Sequence, residues 1–307
     1  MPNWTFDLPA APVLDLRVPS AHVELLAGPG DHASVALEAN GRRAAALIED
    51  SRVEVVGERL VVHVPAHSTR RRNPVGLALA GAPRLRITVP EGTALEATLA
   101  SADLRASVAL RVATVKSASG DVRLEQVTGP VSARLASGDL HVGRVVGDLS
   151  ATTASGDLRF DHVAGDVRVA TASGDIRGGD VDGDAAARTT SGDLDVGRLA
   201  GDLRARTVSG DVSIGQLRRG ETDIASTSGR LRIHVATGLE LDLDVTTVSG
   251  TIRSDLDPGG AGGGGSSGGG TTGDGGDGPV DLRLRARTVS GDVAILRSHD
   301  IDMAATS

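Results

Sequence analysis

The tripeptide Ser-Gly-Asp returns on a fixed clock. It stands at Ser119-Gly120-Asp121, Ser137-Gly138-Asp139, Ser155-Gly156-Asp157, Ser173-Gly174-Asp175, Ser191-Gly192-Asp193 and Ser209-Gly210-Asp211, 18 residues apart each time. Ser101-Ala102-Asp103 is a degraded copy one period earlier. A short unit repeated at constant spacing cannot bury an apolar face alone, and stacking copies of it can. The clock therefore restricts the chain to a stacked-repeat architecture before any other feature is considered.

Each 18-residue unit divides into two nine-residue halves. In one copy these are Ser155-Gly156-Asp157-Leu158-Arg159-Phe160-Asp161-His162-Val163 and Ala164-Gly165-Asp166-Val167-Arg168-Val169-Ala170-Thr171-Ala172. After each Gly-Asp, apolar and polar residues alternate, the period of a β-strand with one face buried. Val122 and Leu124, Leu140 and Val142, Leu158 and Phe160, and Leu194 and Val196 are predicted to point inward, with Arg123, His141, Arg159 and Asp195 pointing outward. In the second halves Val131/Ala133, Leu149/Ala151, Val167/Val169 and Leu203/Ala205 repeat the pattern with smaller residues. Aromatic residues make up only 1% of the chain. A wide globular interior draws on aromatics to fill it, whereas a narrow coil can be filled by Val, Leu and Ile.

These observations predict an all-β fold: a single-stranded right-handed β-helix, or solenoid, with 18-residue coils. Gly120, Gly138, Gly156, Gly174, Gly192 and Gly210 are assigned to the turns, where positive φ is required. The Asp after each is expected to bond backbone N–H groups of its own turn. Stacking places Asp121, Asp139, Asp157, Asp175, Asp193 and Asp211 in one column, and Asp148, Asp166, Asp184 and Asp202 in another. Like charges about 5 Å apart repel by about 1 kcal/mol in water, so turn N–H groups, arginines or a cation must relieve them. Thr153, Thr171, Thr189 and Thr207 form a further column, expected to bond from coil to coil.

Four segments follow. Residues 1–97 contain short alternating strands such as Val13–Val18 and Leu85–Val89, and read as an N-terminal region capping or entering the solenoid. Residues 98–256 are the β-helix repeats, with the clock loosening to 19 and then 21 residues at Ser228 and Ser249. Residues 257–279 are a Gly-rich, low-complexity insert predicted to be disordered. Residues 280–307 resume the pattern as a closing coil with a C-terminal tail, and this coil and the N-terminal region are the expected end caps.

The repeat is similar to that of the bacterial DUF4097 family, which carries an adhesin label. Its bearers here are the Ser-Gly-Asp turns, the lead-in Ile87-Thr88-Val89-Pro90-Glu91-Gly92-Thr93 and the closing Val289-Ser290-Gly291-Asp292-Val293. The resemblance spans nearly the whole chain. It implies a right-handed β-helix and no shared catalytic residues.

Composition narrows the functional classes. There is no Cys, so neither a disulfide framework nor a thiolate zinc site is available. With 40 acids against 32 bases the net charge is −8, which argues against a nucleic-acid partner. Lys116 is the only lysine. No apolar run is long enough for a transmembrane helix. Met1-Pro2-Asn3-Trp4 has no basic n-region, so no signal peptide and a cytoplasmic location are expected. The histidines show no metal-ligand spacing, and the acids are spread by the repeat instead of clustered, so no catalytic or cofactor residue is assigned. Arg70-Arg71-Arg72 reads as a solvated loop.

The reading that results is a non-catalytic scaffold or adhesin-like interaction protein. Its partner would be an unidentified protein or polymer surface, or a second copy pairing through the coil ends. One alternative is calcium binding by the column Asp121, Asp139, Asp157, Asp175, Asp193 and Asp211, on the analogy of the β-roll. Another is a carbohydrate-active β-helix enzyme.

Overall fold

Period-2 alternation becomes paired strands throughout. The structure, a computed structural model, describes residues 3–8, 12–39, 44–65, 82–256 and 281–298. The insert at 257–279, the Arg70-Arg71-Arg72 loop and the C-terminal tail lie outside the described residues. The chain forms two compact units, Met1–Phe160 and Asp161–Ser307.

The first unit contains β1 (Asn3–Asp7), β2 (Val13–Val18), β3 (His22–Ala27), β4 (His32–Glu38), a short helix α1 (Ala44–Asp50), β5 (Arg52–Val56), β6 (Arg59–His63), β7 (Arg84–Val89), β8 (Ala94–Leu99), β9 (Asp103–Ala106), β10 (Val112–Ser119), β11 (Val122–Val127), β12 (Val131–Ser137), β13 (Leu140–Val145) and β14 (Leu149–Ser155). Strand β15 (Leu158–Val163) spans the division. The second unit holds β16 (Val167–Ser173), β17 (Ile176–Val181), β18 (Ala185–Ser191), β19 (Leu194–Leu199), β20 (Leu203–Ser209), β21 (Val212–Leu217), β22 (Gly220–Ser228), β23 (Leu231–Ala236), β24 (Leu241–Ser249), β25 (Ile252–Ser254), β26 (Leu282–Ser290) and β27 (Val293–Ser298).

Each coil contributes one strand to each of two sheets. Strands that leave a Ser-Gly-Asp turn form the A sheet of their unit, and strands that run into one form the B sheet. Pairing between coils is parallel, with partners 18 residues apart: Val122 opposite Leu140, Val131 opposite Leu149, Leu194 opposite Val212. Where the clock slips to 19, the extra residue is taken up between Leu217 and Thr222 and Ser209 still faces Ser228; a register shift between Ile214 and Leu217 then returns the offset to 18 in the next layer.

The inward set is as the alternation predicts. Val122, Leu124, Leu140, Val142, Leu158, Phe160, Leu194 and Val196 are buried, and so are their small counterparts in the B sheets. Each buried aliphatic of this size contributes roughly 1.5–3 kcal/mol of transfer free energy, which is how stacked coils offset a backbone ordering cost that no single coil can meet. The threonine column departs from expectation. Thr153, Thr171, Thr189 and Thr207 are buried, but their hydroxyls have no hydrogen-bond partner. The parallel backbone ladder already takes the neighbouring N–H and C=O groups, and the side chains face the aliphatic interior.

The order of coils departs from the order of the chain in both units. In the first, β2 pairs with β6 on one side and β8 on the other, and β3 pairs with β7 and β9. The coil made first is therefore one layer in. Residue 97 is no break, because β2 and β3 are bonded directly to the first repeat strands. Antiparallel strands finish this end, with β5 on β6, β4 on β7 and β1 on β4. In the second unit β26 lies between β22 and β24, and β27 between β23 and β25. The expectation that residues 280–307 close the stack is thus corrected. Leu282–Ser298 is bonded on both sides, and β24 with β25 holds the edge. The length of Leu241–Ser249 matches Leu282–Ser290 residue for residue, so either segment can neighbour the other in register.

Candidate functional site

The turns couple one coil to the next. Where the sequence suggested bonds within each turn, the Asp carboxylates reach backbone N–H groups of the neighbouring one. Oδ1 of Asp103 accepts from the N–H of Asp121 at 3.1 Å, Asp121 from Asp139 at 3.0 Å, and Asp139 from Asp157 at 2.9 Å. In the second unit Asp175 takes the N–H of Asp193 at 2.9 Å, Asp193 that of Asp211 at 2.8 Å, and Asp211 that of Arg230 at 2.9 Å. The other column works alike: Asp166, Asp184 and Asp202 accept from the next coil's Asp184, Asp202 and Glu221. A partial positive charge on each N–H thereby sits between successive carboxylates and offsets their repulsion. One oxygen of each Asp is engaged in this way. Among the described residues no three His, Asp or Glu side chains gather as a metal-binding group.

At the six turn positions the glycines take positive φ, for example 157° at Gly156 and 151° at Gly192. A Cβ built on Gly156 would run into the carbonyl of Gly138 in the preceding coil. The turn excludes side chains for two reasons, backbone angle and the closeness of the next layer.

Outside the turns, the A and B sheets present different surfaces. The A-sheet strands carry mixed charge: Arg123 beside Glu125 in the first unit, and Arg177 on Asp175 at 2.7 Å in the second. Arg198 forms an ion pair with Asp180, and this hydrogen bond holds the Asp180 carboxyl below the usual carboxylate range while raising the Arg198 guanidinium. His162 lies 3.7 Å from Asp182. His141 and His162 occupy different repeat positions and do not converge.

The outward side of the B sheets carries no acid on the strands β10, β12, β14, β16, β18 and β20, and acids return on β22 with Glu221 and Asp223. On β10, β12 and β14 the outward residues are Thr114, Lys116, Ser132, Arg134, Ser150 and Thr152. On β16, β18 and β20 they are Arg168, Ala170, Ala186, Arg188, Arg204 and Arg206. Lys116 faces Arg134 in register, and Arg188 faces Arg206. All four are exposed, and none has an ion pair or side-chain hydrogen bond among the described residues. The outward position of the first half-repeat, at Arg123, His141, Arg159 and Asp195, shows no such bias; the signal lies at the counterpart position of the second half-repeat, which runs Lys116, Arg134, Thr152, Ala170, Arg188 and Arg206. A shallow notch of about 150 Å³ opens on this side of the second unit, with Ala186 as floor, Arg168 and Arg204 on its flanks and Asp184 and Asp202 at one end.

Parallel coils with two sheets, a sealed aliphatic interior and stacked turns define a β-solenoid. The family model described as Toastrack DUF4097 matches residues 13–219 and again 131–296, and the chain belongs to that family. Similar solved structures include a "putative adhesin" from Parabacteroides distasonis, 12% identical over 75% of this chain and 93% of that one, with a TM-score of 0.49. A second "putative adhesin", from Parabacteroides merdae, is 11% identical over 75% of this chain and 92% of that one, with a TM-score of 0.42. No curated protein matches the sequence.

Proposed function

We propose that this β-solenoid is a non-catalytic, adhesin-like binding protein that holds a protein or polymer surface against its outward faces. The observation that carries this reading is the unlike dressing of the two sheets. An all-purpose soluble surface would intersperse both signs, whereas the B-sheet strands β10 to β20 carry bases and no outward acid in a chain of net charge −8. Catalysis of the glycosidase kind needs two converging carboxylates in a groove. Here the aspartates stand in columns at the coil edges, each with an oxygen bonded to the next layer.

The test pairs binding with turnover. The full chain is immobilised and exposed to acidic, neutral and basic polymers, while released reducing ends are measured in parallel. Retention of a polymer without new ends supports the reading; accumulation of new ends overturns it.

A further inference from the structure

We propose that the outward B-sheet face of the second unit binds a linear acidic polysaccharide, one with a carboxylate on each sugar, lying across the strands. This rests on the binding-protein reading above and names its partner.

The argument starts from Arg188 and Arg206. They are register partners on adjacent parallel strands, so their guanidinium groups leave the sheet one rung apart, about 4.8 Å at the backbone. Two unpaired cations at that spacing repel one another, and an anion between them removes the repulsion. Arg204 stands on the same strand as Arg206 and is likewise without an ion pair among the described residues. The residues between these arginines are small: Ala170, Ala186 and Thr190 leave the guanidinium groups standing above a low floor. Arg matches a carboxylate with a two-pronged fork, which Lys cannot do.

The borders of the face choose among polyanions. Asp166, Asp184 and Asp202 precede the three strands, and Asp175, Asp193 and Asp211 follow them. The positive strip is therefore narrow, bounded by a column of carboxylates on either side. A bilayer or a nucleic-acid duplex, being broad, would cover both acidic columns together with the arginines. A single extended chain that crosses β16, β18 and β20 meets only the arginines and small residues between them, with Asp223 on the next strand, opposite Arg204, marking the far end of the strip. Single-stranded nucleic acid has the width but stacks its bases on aromatic side chains, and this face carries none. An extended glycan advances by about one rung per sugar, so successive carboxylates keep step with successive strands.

The experiment uses the full-length chain immobilised on a biosensor, with polygalacturonate as probe and its methyl-esterified form as the uncharged equivalent. Oligodeoxyadenylate and phosphatidylglycerol vesicles are run as competing polyanions, with reducing ends assayed alongside. Polygalacturonate is expected to be retained and to be released by salt, while the ester passes through. Arg188→Gln with Arg206→Gln is expected to weaken retention by about tenfold or more. The Lys pair at the same positions is expected to recover only part of it. Arg123→Gln with Arg177→Gln, the same charge loss on A sheets, is expected to change it less than about twofold. All variants should melt with the parent, since every changed side chain is exposed. The proposal is overturned if polygalacturonate is not retained, if both double variants lose it equally, or if DNA or vesicles bind more tightly through the same arginines. In those cases the binding-protein reading stands. It falls separately, if sugar ends accumulate.

Discussion

The N–H of Asp157 donates to Oδ1 of Asp139 at 2.9 Å, and the residue after Asp139, Leu140, donates its own N–H to the carbonyl of Asp157, also at 2.9 Å. Each turn is thus stitched to the next by a side chain in one direction and by the backbone in the other. Asp139→Ala removes the side-chain stitch and is expected to cost about 1 kcal/mol in urea denaturation, because the freed N–H is near water and can be hydrated. Asp139→Asn keeps an acceptor oxygen and removes a like charge, so it should cost clearly less. A loss for Asn equal to that for Ala would show that the carboxylate charge itself, not its acceptor, is what the column needs. Calorimetric titration with millimolar Ca²⁺ is expected to give no binding heat, and a saturable heat lost in Asp139→Ala would assign the column to cation binding instead.

Gly156→Val tests the turn. It places a β-branched side chain at φ 157° and against the Gly138 carbonyl. Backbone strain and overlap together should cost roughly 3 kcal/mol or more. A thermal melt coincident with that of the parent would refute the turn assignment.

Thr189 is buried with an unpartnered hydroxyl. Valine has the same shape with a methyl group in place of the hydroxyl, so Thr189→Val removes a buried polar group without opening a cavity. Stability is expected to rise by about 1 kcal/mol. A fall of similar size would reveal a bond to that hydroxyl in solution.

The Asp180–Arg198 pair gives a pH signature. Its bond lowers the folded-state pKa of Asp180 below the unfolded value. The carboxylate's contribution is therefore complete above the unfolded pKa, near pH 4, and is lost as pH falls through the folded one. Asp180 is half-buried and its partner Arg198 is exposed, so solvent screening keeps the effect small, about 0.5 kcal/mol. Asp180→Asn should be slightly less stable than the parent at neutral pH, with the gap closing in acid. A gap that persists undiminished below pH 2 would mean that the pair is not its source.

Much of this architecture was legible because a repeat converts spacing into register. Ser119, Ser137 and Ser155 read as equivalent, and the structure places them directly opposite one another. Alternation then identified the inward residues of each coil, since a strand's side chains have only two directions to take. Three features were hidden. The Asp bonds run to the neighbouring layer, and a turn motif read in isolation contains no layer. The basic strip emerges only when second half-repeats are aligned with one another. The placement of Leu282–Ser298 inside the stack was unreadable because parallel strands of equal length and pattern are interchangeable neighbours, so sequence order says little about which lies outermost.

That placement governs how the second unit is completed. Strands β24 and β25 leave the ribosome before β26 and β27, yet they touch the earlier layers only through them. Synthesis and assembly therefore cannot proceed together as a one-way zipper. A vacancy one layer thick must wait, or the outer layer must stay adrift, until the last strands slot home. The final stretch acts as a keystone, and a chain stalled short of Leu282 would leave β22 and β23 bare on a side that the finished molecule covers.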